Sequence, residues 1–200
     1  MLDAKLRPWV DPPLNVGARL LSKTNITPNA LTLMGFFFGM LGILCIALEN
    51  YLAGLSFILL NRLFDGLDGS LARLKTMSDF GGYLDIVCDF LIYAGVACAF
   101  AIVNPKNAPW IAFLIFSYTG AMTSFLAYAI MAAKQGKQSE ERGKKSLYYL
   151  GGLCEGTETI LVMILMCLLP NYIPVIAFIY GIMCLITCLG RSYEAWKDFN

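Results

Sequence analysis

Histidine is absent from all 200 residues. Imidazole general bases, Ser-His-Asp triads and histidine-ligated zinc are thereby excluded. Charge is scarce as well: 14% of the residues are Asp, Glu, Lys or Arg, where soluble domains carry about a quarter. The basic and acidic side chains nearly cancel, leaving a net charge of +1. A nucleic-acid partner is not expected, because phosphate-backbone binding needs a clustered basic excess. The cysteines at 45, 88, 98, 154, 167, 184 and 188 lack CxxC spacing and lie in apolar runs. They read as reduced packing residues. The chemistry left to the chain is that of carboxylates, lysines and thiols.

Apolar residues are what is abundant, at 58% of the chain with a mean hydropathy of +0.65. The fold class that follows is all-α: a polytopic membrane protein of six transmembrane helices preceded by an N-terminal interfacial amphipathic helix. Residues 1–24 mix charge, proline and apolar positions such as Trp9, Leu14, Leu20 and Leu21, which suits a membrane surface better than a cleaved leader. Thr27 and Pro28 signal a helix start. Apolar runs follow at 31–48, 51–73, 80–103, 109–133, 147–169 and 172–190, each near the ~20 residues that cross a bilayer core. Residues 25–190 thus read as one membrane domain and 191–200 as a cytoplasmic tail. With six spans, every lysine and arginine outside the second span except Lys106 falls on one side. The positive-inside rule assigns that side, with both termini and the 74–79 and 134–146 loops, to the cytoplasm.

The second and third spans carry charges that a purely structural membrane helix avoids: Arg62, Asp65, Asp68 and Arg73, then Asp85 and Asp89. An ionised Asp near the bilayer centre costs at least ~2.5–3.5 kcal/mol. Asp65 and Asp68 are spaced i,i+3 and Asp85 and Asp89 i,i+4, so each pair occupies one helical face. A short turn, read as Leu74–Phe80, makes the two spans antiparallel neighbours whose acidic faces meet in one cleft. Four carboxylates together call for cations, and hard oxygen donors suit Mg²⁺ or Mn²⁺. Small residues, Gly66, Gly69, Ser70, Ala72, Gly81 and Gly82, surround the acids. They leave room for a ligand or for close helix packing, and for Gly66 packing is the preferred reading. Arg62, three residues before Asp65, reads as a structural ion pair with that carboxylate.

The stretch Asp65-Gly-Leu-Asp-Gly-Ser-Leu-Ala-Arg73 followed by Gly81-Gly-Tyr-Leu-Asp85-Ile-Val-Cys-Asp89 resembles the signature of the CDP-alcohol phosphatidyltransferases, D-x2-D-G-x2-A-R-x8-G-x3-D-x3-D. One departure stands out: seven residues, in place of eight, separate Arg73 from Gly81. A deletion in a turn leaves both aspartate pairs in register, whereas one inside a helix rotates a face by ~100°. The resemblance covers nearly the whole chain, including the Thr27-Pro28-Asn29 entry to the first span. The segment Lys145–Ile160 is similar to a bacterial inner-membrane branch of the family.

The resemblance implies metal-dependent transfer of a phosphatidyl group from CDP-diacylglycerol to an alcohol, with release of CMP, in phospholipid biosynthesis. It implies a two-metal site of Mg²⁺ or Mn²⁺ on Asp65, Asp68, Asp85 and Asp89, with Asp89 also the catalytic base. The nucleotide falls to Gly69, Ala72 and Arg73, with Asn29 and Thr32 as further candidates. The polar alcohol acceptor falls to Lys145 and Arg191 and to the intramembrane pair Glu155 and Glu158 on the fifth span. For Lys145, Arg191 and the neighbouring Arg142 and Lys144 the alternative is a topological or lipid-headgroup role, and for the two glutamates it is helix-to-helix hydrogen bonding. Glycerol 3-phosphate is the first acceptor to consider, and an inositol phosphate or an amino alcohol the alternative. A cation transporter using the intramembrane acids is the reading from another class. The expected setting is the bacterial inner membrane with the active site facing the cytoplasm, and the expected assembly a homodimer.

Overall fold

A computed structural model describes residues 2–136 and 152–200. Among these the chain forms helices and no strands: α1 (Leu2–Leu21), α2 (Pro28–Ala47), α3 (Tyr51–Leu74), α4 (Asp79–Val103), α5 (Ala108–Lys134), α6 (Gly156–Leu168) and α7 (Ile173–Phe199), with short 3-10 turns at Pro105–Asn107 and Pro170–Tyr172. The starts are set locally. The Thr27 side chain caps α2 by accepting from the Ala30 N–H, with Pro28 in the first turn. Asn50 caps α3 and Ser78 caps α4 in the same way.

Four stretches are long and apolar enough to cross a membrane by themselves: α2, α4, α5 with its preceding 3-10 turn, and α7 with its own. The chain is therefore an all-α polytopic membrane protein. The other two expected spans differ for separate reasons. Helix α3 has 24 residues, about 36 Å at 1.5 Å per residue, but Arg62, Asp65, Asp68 and Arg73 lie within it. Helix α6 has 13 residues, roughly 20 Å, short of the ~30 Å hydrocarbon core. Residues 152–155 ahead of it are not helical, and the expected start at 147 lies outside the described residues. The span expected at 172–190 lies within α7, which continues as helix to Phe199; there the Tyr128 hydroxyl of α5 donates to the Asp198 carboxylate.

Packing around α2 decides where the acids stand. This helix lies against both α3 and α4, whereas α3 and α4 scarcely touch. The acidic faces of α3 and α4 accordingly meet across a cleft, as the sequence leads one to expect, with α2 holding the two helices in place. Glycines on α2 make its two contacts possible. A Cβ at Gly39 would lie 2.4 Å from Ile92 Cδ1 of α4, and one at Gly42 3.1 Å from the Gly54 carbonyl oxygen of α3. The turn is also shorter than expected, since α3 continues to Leu74 and Ser78 already caps α4. The expected amphipathic segment is α1. It packs on α3, where a Cβ at Gly66 would meet Leu14 at 2.6 Å and one at Gly17 would meet Leu67 at 2.9 Å. Lys75 ties the next segment down, its ammonium donating to the carbonyls of Thr24 and Ile26 at 2.8 Å each.

Candidate active site

The inner faces of α2, α3, α4, α5, α6 and α7 and one side of α1 enclose a cleft of about 780 Å³. Asp65 and Asp68 enter it from α3, Asp85 and Asp89 from α4. One carboxylate oxygen each from Asp65, Asp68 and Asp85 lies within 4.8 Å of the others. Asp68 is buried and oriented by Thr32 of α2, whose hydroxyl donates to its Oδ2 at 2.5 Å. Three converging carboxylates with no nitrogen or sulfur donor fit a hard divalent cation. Beside them Gly69 leaves space: a Cβ there would meet only the Arg73 guanidinium, at 3.7 Å.

Asp89 stands apart from this trio. Its Oδ1 accepts from Arg62 Nη2 at 2.8 Å and its Oδ2 from the Tyr93 hydroxyl at 3.0 Å. The expected ion pair of Arg62 with Asp65 is present at 3.7 Å, and Asp89 across the cleft is a second and closer partner at 2.8 Å. The reason is reach. A guanidinium on α3 extends toward α4, where both a carboxylate and a phenol accept it. Asn61 completes the arrangement: its amide donates to the Gly35 carbonyl of α2 at 2.9 Å and its Oδ1 accepts from Arg62 Nε at 2.8 Å.

The nucleotide candidates Asn29, Thr32, Gly69, Ala72 and Arg73 all line the cleft. Thr32 is committed to Asp68, and Arg73 donates to the Ser70 hydroxyl at 3.0 Å. Gly81, in the first turn of α4, faces Asn29, whose Oδ1 would be 3.0 Å from an added Cβ. Of the acceptor candidates, Arg191 lines the cleft from α7, donating to the Ala121 carbonyl at 2.9 Å with its guanidinium 5.5 Å from the centre of the Phe125 ring. Glu155 also lines it, but it is the N-cap of α6 in extended backbone and not a mid-helix residue. Glu158 does not line the cleft: it is buried in the first turn of α6, accepting from the Glu155 N–H at 3.2 Å. The expected pair on one membrane-helix face is therefore a capping box that starts a short helix. Lys145, with Arg142 and Lys144, lies outside the described residues.

Residues that the sequence does not single out are Asn61, Tyr93, Tyr118 and Tyr180. All but Asn61 line the cleft, and Tyr180 shares a 2.8 Å hydrogen bond with Thr159. Asn61 directly precedes Arg62 in an apolar helix, which is the signal that could have marked it.

The family model for CDP-alcohol phosphatidyltransferases matches residues 25–190. The chain belongs to that family. Its members are enzymes that transfer phosphatidyl groups in phospholipid synthesis, and membership sets aside the cation-transporter alternative. The chain is 47% identical to inner membrane protein YnjF of Escherichia coli, over 98% of this chain and 96% of that one. It is 30% identical to the archaetidylinositol phosphate synthase of Pyrococcus horikoshii, over 97% and 96%. Its fold is that of the phosphatidylinositol phosphate synthase of Mycobacterium tuberculosis solved with CDP-DAG bound, with a TM-score of 0.68 at 21% identity, covering 92% of this chain and 93% of that one. The same synthase has been solved with manganese and citrate.

Proposed function

We propose that this phosphatidyltransferase takes CDP-diacylglycerol as donor and a phosphorylated polyol as acceptor, releasing CMP. The observation that carries the reading is the convergence of Asp65, Asp68 and Asp85 in a cleft that Arg73 and Arg191 also line. In the family signature, Asp65, Asp68 and Asp85 take the places of principal metal ligands and Asp89 that of the base. Mg²⁺ or Mn²⁺ held there supplies neutralisation of the pyrophosphate and stabilisation of the departing CMP. Arg73 and the open space at Gly69 and Ala72 receive the nucleotide, with Asn29 at the mouth of α4. Asp89 accepts the proton of the acceptor hydroxyl as that oxygen bonds to the lipid-side phosphorus. The bond from that phosphorus to the CMP oxygen breaks.

Arg191 is suited to the acceptor's own phosphate, because a guanidinium offers forked donors to such a group. Glycerol 3-phosphate is the first acceptor to test and an inositol phosphate the second, the latter favoured by the name of the archaeal relative. The lysine and arginine distribution supports a cytoplasmic active site, with both termini on the same side. Purified protein incubated with CDP-diacylglycerol, Mg²⁺ or Mn²⁺ and each acceptor should release CMP and form one new phospholipid. Absence of CMP release with every phosphorylated polyol, while an unphosphorylated alcohol supports it, overturns the acceptor assignment.

A further inference from the structure

Arg62 has no place in the family signature, yet among the described residues it is the cationic side chain paired with the carboxylate cluster. Its side chain is 8% exposed, and its donors are directed at three separate groups. Nε donates to Asn61, Nη1 to the Tyr93 hydroxyl at 3.0 Å and Nη2 to Asp89, with Asp65 3.7 Å from Nη1. The guanidinium carbon also lies 5.2 Å from the centre of the Tyr93 ring. Asn61 is in turn fixed to the backbone of α2 through the Gly35 carbonyl. The guanidinium is therefore held in place, and both oxygens of Asp89 are already engaged, one by Arg62 and one by Tyr93.

We propose that Arg62 is a built-in counter-cation that holds Asp89 back from metal, so that the site takes one divalent ion on Asp65, Asp68 and Asp85 and a second only when substrate arrives. The inference rests on the reading of these carboxylates as a metal centre. Its physical basis is charge and geometry together. Four carboxylates beside one guanidinium carry a net charge of −3, which one divalent ion reduces to −1. A second ion makes the cluster net positive, a state that burial disfavours until the pyrophosphate of the donor brings its own negative charge. Geometry acts in the same direction, because Arg62 and Tyr93 each use an acceptor site on one Asp89 oxygen and hold the carboxylate toward themselves, away from the trio. Arg62 is thus a positioning residue, acting on the reaction through Asp89.

Manganese binding tests this apart from turnover. Full-length protein in detergent is titrated with Mn²⁺ alone, and the bound ions are counted by equilibrium dialysis and by electron paramagnetic resonance, where two adjacent ions give a spin-coupled spectrum and one does not. The wild type should bind one Mn²⁺ per chain with an uncoupled spectrum. Arg62→Gln should bind two with a coupled spectrum, and Arg62→Lys should return toward one. Tyr93→Phe keeps the ring and removes one of the two restraints on Asp89, so it should tighten the second ion about tenfold. It provides the comparison if Arg62→Gln does not fold. Two tightly bound ions in the wild type, or a second-ion affinity unchanged in both Arg62→Gln and Tyr93→Phe, overturns the role of Arg62 and leaves the metal centre standing. No Mn²⁺ bound by the wild type overturns the metal centre and this inference with it.

Discussion

Asp89 and Asp68 differ in what holds them, and substitutions should separate their roles. Asp89→Asn keeps an acceptor for Arg62 but no longer takes a proton. It should lower kcat by about 10²–10⁴ while Mn²⁺ still binds to Asp65, Asp68 and Asp85, as measured by CMP release and by dialysis. Asp68→Asn should weaken the first ion itself. Thr32→Val removes the hydroxyl that orients Asp68, a change that typically costs about 10–100-fold in metal affinity. A Thr32→Val enzyme whose Mn²⁺ affinity and kcat match the wild type would count against that positioning. Arg191→Gln is expected to raise KM for the phosphorylated acceptor with little effect on KM for CDP-diacylglycerol. An equal rise in both would point to a general loss of structure in the cleft.

At the scale of elements, the site depends on α2 fitting between α3 and α4. Ile92 lies where a side chain on Gly39 would project, and α2 contributes Thr32 and the Gly35 carbonyl to the two ends of the acidic cluster. Gly39→Val must push α4 outward or displace Ile92. Overpacking of this kind costs about 1–3 kcal/mol. The expected outcome is a lowered thermal transition in detergent together with weaker Mn²⁺ binding, since Asp85 on α4 moves away from Asp65 and Asp68. Gly66→Val provides a contrast. Gly66 faces Leu14, so the substitution should loosen α1 and expose it to protease while the carboxylate trio keeps its metal. The preferred reading of Gly66 as a packing residue agrees with that contact.

For the molecule as a whole, the two long helices α5 and α7 pack against each other and carry Arg191 toward the cleft, while α1 closes the cleft beside α3. The cleft is lined by residues from Leu6 on α1 to Arg191 on α7, so its walls are drawn from every long helix described. Topology is open to direct measurement. In intact cells, a cysteine placed at Thr76 in the α3–α4 turn should resist a membrane-impermeant thiol reagent until the inner membrane is opened, and one placed at Lys106 should react before. The reverse pattern would put the cleft on the outer face and exclude a cytoplasmic nucleotide-linked donor.

The class of protein and the acidic motif are legible in the order of amino acids alone. Mean hydropathy and apolar runs of bilayer length report burial in lipid directly, and helical periodicity places each aspartate pair on one face whatever the rest of the chain does. The one-residue-shorter turn was equally legible, because an exposed turn absorbs a deletion without rotating the helices it joins. Which partners those residues find depends on how the helices pack. Arg62 pairs with Asp89 at 2.8 Å besides Asp65 at 3.7 Å because an arginine reaches across a cleft whose two walls are held by the glycines of α2. Glu155 and Glu158 start a short helix because residues 152–155 are not helical, a break that a continuous apolar run conceals. Periodicity describes one helix at a time. The distance between helices, and with it the chemistry of the cleft, depends on contacts between residues far apart in sequence.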